Sequence, residues 1–373
     1  MPKWNAPLLN IALVIGIGVL STVILSSTAS VLQPFAISVF FVYLVFPLVR
    51  ILSRHRCPKL VAYIIATTTF FIALYVLGYM MALNLQTFVE QIPMYAVKIN
   101  AAFAYLEQIS ERWGVLDSGE TLTFRDLVMA LPEGALANWI GDSTTSFMNF
   151  AGNLVLIAFF MLFILLEVER LPERIQLAYG LTRARVVTDL IQDINKSVEQ
   201  YIILKVVVSL VTAVLSIIVM ASFGLNLFFL WGVLVFVLNF IPYFGSIVAT
   251  VLPTLMALLQ FDSGWSALGL GALLTLLQNG IGNVLEPAWQ GRNLNLSPLL
   301  ILVALTFWGW LWGVVGMLLA VPIMVSIRIV FEHFPTLRPY AILMSNASGL
   351  DNAEHKRIEE LQQKDQRRRF TRE

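Results

Sequence analysis

The stretch "QNGIGNVLEPAWQGR", Gln278 to Arg292, holds the residues of this chain whose types and spacing best suit chemistry. Thr275, Asn279, Asn283 and Glu286 recur in steps of four, four and three. On a helix this spacing puts a hydroxyl, two amides and a carboxylate on one narrow face. Gln278 adds a further amide next to Asn279. Such a set offers neutral donors and acceptors to a small polar, uncharged ligand, and one group able to bind a proton. An ionisable side chain in an apolar helix is a functional candidate by default. The competing reading places Glu286 at a membrane surface, solvated or paired with Arg292, and makes the amides contacts between helices. Gly280 and Gly282 would allow that close approach. Pro287, directly after Glu286, is expected to stop the helix.

Two other constellations flank this one. From Val206 to Phe261 there are 56 residues without a charge, yet the run contains "LNFIPYFGSIVATVLP". Pro242 removes a backbone donor and pushes the preceding residue out of helical geometry. In lipid each freed backbone group costs several kcal/mol as an order of magnitude, so such breaks survive inside protein or beside water. One reading is a helical hairpin with a buried tip, Ile241 to Ser246, in which Asn239, Pro242, Tyr243, Gly245 and Ser246 face a pathway. The other is an ordinary turn between two full spans, since each apolar arm is long enough to cross. The third constellation is "FWGWLWGVVGMLLAVP". There Gly309, Gly313 and Gly316 punctuate a run of Trp308, Trp310 and Trp312, which suits a hairpin hinge and close helix packing.

The elements that must position these residues follow from composition. The 373 residues are 58% hydrophobic and 13% charged, where a soluble domain of this size is about 25% charged. Mean hydropathy is +0.80. The expected fold class is all-α: a polytopic integral membrane protein with about eight transmembrane segments, counting two helical hairpins that are re-entrant or fully spanning. The long apolar runs exclude a porin-type barrel. The N-terminal apolar run, Leu8 to Leu25, exceeds the usual length of a signal-peptide core and reads as a first span. No phosphate-binding Gly-rich loop, His-Glu-x-x-His site or Gly-x-Ser-x-Gly elbow is present. An enzyme is therefore not expected, nor a cofactor or metal. A net charge of +1 gives no sign of nucleic-acid binding. The single cysteine, Cys57, reads as a free cytoplasmic thiol.

The domain organisation is expected to run as follows: spans 1–3 over residues 1–84, an extracytoplasmic helical cap over 85–146, and a fourth span with a cytoplasmic amphipathic helix over 147–204. A transmembrane core with both hairpins covers 205–340, and a charged tail 341–373. Arg50, Arg54, Arg56 and Lys59 between spans 2 and 3 set the orientation, with both termini cytoplasmic. In the cap, Phe88, Ile92, Ile99, Phe103 and Leu106 recur at helical spacing, and Thr121 or Thr123 could cap a second short helix. Val186, Leu190, Ile194, Val198 and Tyr201 define the apolar face of the amphipathic helix.

Taken together and in this order, "LNFIPYFGSIVATVLP", "NVLEPAWQGRNLNLSPLLILVAL" and "WGVVGMLLAVPIMV" resemble the AI-2E family of bacterial permeases. Ser246 stands where members often carry Pro, which changes the stiffness of the turn. The resemblance implies a secondary transporter of the bacterial inner membrane, associated with export of the quorum-sensing signal autoinducer-2 or with sodium/proton antiport. It also implies a homo-oligomer, a pentamer in the family pattern, with membrane lipid, a small polar solute, sodium or protons as partners. On this reading the hairpin tips approach each other beside the Thr275, Asn279 and Asn283 face, and Glu286 couples transport to an ion or proton gradient. A cation/proton antiporter and a non-transporting membrane scaffold are the alternatives.

Overall fold

The computed structural model describes residues 5–113, 135–290 and 295–346. Every regular element among them is helical, as long apolar runs require, because in hydrocarbon a helix satisfies its own backbone. In chain order they are α1 (Asn5–Ser27), α2 (Ala29–Arg54), α3 (Lys59–Trp113), α4 (Ala135–Val168), α5 (Leu171–Ser222), α6 (Phe228–Leu238), α7 (Phe244–Gln260) and α8 (Gly264–Gly280). A π-helical turn, Ile281–Leu285, leads into α9 (Glu286–Gln290), followed by α10 (Pro298–His333) and α11 (Arg338–Leu343). Among the described residues five stretches are long and apolar enough to cross a membrane: Ala29–Arg54, Lys59–Phe88, Ala184–Ser222, Gly264–Trp289 and Pro298–His333. Side chains such as Ile17, Val155 and Leu276 stand 64%, 74% and 69% exposed. Apolar surface on this scale calls for lipid or another apolar surface to cover it. The chain is a multi-pass membrane protein.

Several expected boundaries move. α3 passes residue 84 without a break and continues to Trp113, so the described parts of 85–146 extend the neighbouring helices. The short helix expected after Thr121 or Thr123 lies outside the described residues, as does the tail beyond 346. α5 joins the amphipathic stretch to the following span, with one non-helical residue, Gly180 (φ 71°, ψ 161°). Val198 and Tyr201 on its expected apolar face are buried, whereas Val186 is exposed.

The chain forms two compact units. The first comprises Met1–Thr67, Leu156–Val206 and Glu286–Glu373. Its interior includes Val45, Ala62, Met161, Leu165, Ile202 and Val325. Polar ties join its helices: Tyr43 donates to Asn195 Oδ1 (2.6 Å), and Tyr63 donates to Glu169 Oε1 (2.6 Å). Lys59 also pairs with Glu169 at 2.9 Å. The Tyr63 hydrogen bond, then Lys59, hold the Glu169 carboxyl below its usual range.

The second unit comprises Thr68–Val155 and Val207–Leu285. Its core gathers Met220, Leu225, Trp231, Met256, Leu270 and Leu274, with Phe88 edge-on to Trp231 at 6.4 Å. Gly271 lets α8 approach Thr254 of α7; a Cβ there would stand 2.7 Å from the threonine methyl. Before α6 the chain turns at Gly224 and Leu227, with φ of 71° and 58°. The Gln260 side chain staples this turn. Its Oε1 accepts from Asn226 N (2.6 Å) and its Nε2 donates to Gly224 O (2.7 Å).

That turn shortens the first hairpin arm. The apolar run 225–244 looked long enough to cross, but Gly224–Leu227 and Asn239–Tyr243 take residues from both ends. α6 keeps only 11 residues, a rise of about 16 Å against a hydrocarbon thickness of about 30 Å. α7 has 17, or about 25 Å.

Candidate functional site

The corner between α6 and α7 is built from backbone contacts. Phe244 N bonds to Pro242 O at 2.7 Å, with Tyr243 between them at φ 61°, ψ −59°. This is a γ-turn of the rare, strained hand. Gly245 follows, packed so closely that a Cβ would stand 1.7 Å from the Leu238 carbonyl oxygen. Ser246 Oγ donates to Tyr243 O (2.9 Å) and closes the turn. One residue before the corner, Asn239 Nδ2 donates to Ser209 Oγ of α5 at 3.1 Å. Ser209 is completely buried. The expected burial of the tip is only half observed within the chain. Ile241 and Gly245 are buried, but Tyr243 and Phe244 are 52% and 53% exposed. The reason is geometric: the γ-turn directs the two aromatic residues away from the helices whose ends it joins.

The amide face on α8 forms a continuous ladder. Thr275 Oγ1 donates to Gly271 O (2.7 Å), Asn279 Nδ2 to Thr275 O (3.0 Å), and Asn283 Nδ2 to Asn279 Oδ1 (3.1 Å). All three side chains lie on the exposed side of the helix. Gln278 points the other way: it is buried, and its Nε2 has no hydrogen-bond partner. Among the described residues, Gly280 and Gly282 make no close helix approach. No atom of the described residues lies within 4 Å of a Cβ built on either.

Pro287 does not stop the helix, as it was expected to. The α-helical pattern yields earlier, in the π turn Ile281–Leu285, and resumes at Glu286 with Pro287 in the first turn of α9. A proline in that position removes no intrahelical hydrogen bond. The wider π turn changes the helical phase, so Glu286 leaves the strict register of the amide ladder.

Glu286 is neither solvated nor at a bare surface. In the first unit its Oε1 lies 2.5 Å from Lys205 Nζ, with the two side chains 15% and 5% exposed. Lys205 is the residue that sequence reasoning missed. It directly precedes the 56-residue uncharged run, Val206 to Phe261. Helical spacing offered a second signal: Tyr201, Lys205, Ser209, Thr212 and Ser216 lie four, four, three and four residues apart on α5. All five are buried.

The second corner lies within α10. Gly313 has φ 62°, ψ −142°, a conformation reserved for glycine. A Cβ on Gly316 would stand 1.8 Å from Trp308 O, although residues eight apart in a continuous helix are separated by about 12 Å. α10 therefore folds back on itself at Gly313, with arms over 298–312 and 314–333. Gly309 meets the flexible Met317 side chain. Trp308 and Trp312 pack together at 5.2 Å, Trp312 Nε1 donates to Leu25 O of α1 (3.2 Å), and Trp310 stays 73% exposed.

Broken apolar helices carrying amides, and a charge pair in the path of a span, define an integral membrane protein of the transporter class. Residues 9–336 match the AI-2E family transporter profile, and the chain belongs to that family. It is 30% identical over 340 residues to the AI-2 transport protein TqsA of Escherichia coli K12, covering 91% of this chain and 96% of TqsA. A provisionally named transport protein of Borreliella burgdorferi is 28% identical, over 87% of this chain and 88% of its own. The provisionally named transport protein YhhT of Escherichia coli K12 is 26% identical, over 85% and 89%. Members carry the names of transport proteins and permeases, and the chain is a transport protein rather than an enzyme.

Proposed function

We propose that the chain is a secondary transporter of the bacterial inner membrane, with cytoplasmic termini, that exports a small polar uncharged solute such as autoinducer-2. The two corners are proposed to be re-entrant, and Asn239, Tyr243, Ser246, Asn279 and Asn283 to contact the solute, with Glu286 as the group that couples flux to an ion gradient. The observation that carries this reading is the Thr275–Asn279–Asn283 ladder on an exposed helix face. Amides held in a row, next to a π turn, suit hydroxyl and carbonyl groups better than a multivalent ion. The 11-residue arm of α6 supports re-entrance, since it is too short to span. The name of TqsA supports the choice of autoinducer-2.

Burial of Glu286 favours a second reading, cation/proton antiport, because such exchange needs a carboxylate out of bulk water. Purified protein in liposomes tests both. Uptake of labelled autoinducer-2 and of sodium is measured with and without a pH gradient, for the wild type, Asn279→Ala and Glu286→Gln. Solute flux that falls in Asn279→Ala supports the first reading. Sodium flux alone, abolished in Glu286→Gln, supports the second. No flux of either kind rejects both and leaves a membrane scaffold.

A further inference from the structure

The Lys205–Glu286 pair joins two stretches long and apolar enough to cross a membrane, Ala184–Ser222 and Gly264–Trp289, where a well-packed apolar pair could hold the helices as well. Each ion loses most of its hydration there, and their attraction recovers that loss only with good geometry. The geometry is direct, Nζ to Oε1 at 2.5 Å, with the ammonium 5% exposed. One helical turn earlier on the same face of α5 stands Tyr201, 4% exposed. Its hydroxyl is buried without a hydrogen-bond partner, one turn from the lysine that holds Glu286. Buried hydroxyls are nearly always paired. An orphan hydroxyl one helical turn from a buried ion pair is an oxygen ligand in search of a partner.

We propose that Glu286 and Tyr201 are oxygen ligands of a monovalent-cation site, and that the Lys205 ammonium is its resident cation, displaced when a free ion enters. This rests on the ion-coupled reading of Glu286 above and adds its competitor. The chemistry is that of substitution. An ammonium and a sodium ion are both monovalent and both bind carboxylate and phenolic oxygen. The carboxylate is therefore never left bare in an apolar setting, where an unpaired charge is most costly. Lys205 also raises the concentration at which an ion binds, since an incoming ion has to outcompete a tethered cation that is present in every molecule.

Binding is read in detergent, apart from any flux. Thermal unfolding of the intact protein is followed against sodium chloride, with choline chloride holding ionic strength constant. For the wild type we expect stabilisation only at high sodium. Lys205→Met and Lys205→Gln, which remove the competitor, should be stabilised by sodium saturably, at concentrations roughly tenfold or more lower. Lys205→Met combined with Glu286→Gln should be insensitive, and Lys205→Met combined with Tyr201→Phe should need more sodium. Sodium stabilisation that persists without the Glu286 carboxylate overturns the assignment. So does a wild type indifferent to molar sodium together with lysine variants that sodium neither stabilises nor rescues. Failure of this test leaves solute transport intact, and failure of autoinducer-2 flux leaves cation binding intact.

Discussion

The two corners solve one problem with different residues. Both reverse an apolar chain within a few residues, and both press a glycine against a carbonyl oxygen of the preceding arm: Gly245 on Leu238, Gly316 on Trp308. They differ in the residue that carries the positive φ. The second corner uses Gly313, which adopts that conformation freely. The first uses Tyr243, which does not. They differ in anchorage too. Trp308 and Trp312 are buried beside the second corner, although Gly313 and Val314 at its tip are exposed, and the Trp312 indole ties it to α1. The first also exposes its tip, at Tyr243 and Phe244, and the bond from Asn239 to Ser209 ties its approach to α5. The contrast separates a corner made for stability from one held under strain. Strained backbone concentrates where function requires it.

The shared device is tested by the largest expected effect. Gly245→Ala and Gly316→Ala each drive a Cβ into backbone that cannot yield. Each should cost about 3 kcal/mol or more, seen as a collapse of thermal stability or of monodisperse protein in detergent. Gly309→Ala meets only the flexible end of Met317 and should cost about 1 kcal/mol. Equal losses at Gly309 and Gly316 would show that the α10 arms are not in backbone contact.

Anchorage is tested next. Asn239→Ala leaves the buried Ser209 hydroxyl without its donor and should cost about 1–3 kcal/mol. Gly313→Ala places a side chain in a glycine-only conformation and should cost a similar 1–3 kcal/mol. Trp312→Phe keeps the stacking and loses one hydrogen bond, about 1 kcal/mol. In liposomes Asn239→Ala should lower flux beyond its loss of stability, and Trp312→Phe should not. The reverse result would make the second corner the functional one.

The contrast between the corners was partly legible in the sequence. Proline and glycine announce a break by what they do to their own backbone, so Pro242, Gly245 and Gly313 marked both corners without knowledge of any partner. The length of α6 was not legible, because hydropathy does not register that Gly224–Leu227 form a stapled turn; Leu227 is apolar and still adopts positive φ. The phase change before Glu286 was hidden for a similar reason. No residue type specifies a π turn. Least legible was the pairing of Lys205 with Glu286, two residues 81 positions apart whose meeting depends on how α5 and α9 pack. Local spacing placed each on a helix face but could not say what that face meets.

The smallest expected effect addresses the strain itself. In Tyr243→Gly the γ-turn loses its penalty, on the order of 1–3 kcal/mol. Part of this is offset by the greater freedom of glycine in the unfolded chain, about 0.5–1 kcal/mol. The exposed ring gives up little packing, so the net should be a stabilisation of roughly 1 kcal/mol, read as a modest rise in melting temperature. The sign is opposite to that of Gly313→Ala, although both substitutions act on the positive-φ residue of a corner. If strain at Tyr243 serves transport, the more stable variant should be the slower one, with flux reduced while the protein melts later. A variant both more stable and fully active would make the strain incidental, and the first corner would then be a weaker copy of the second.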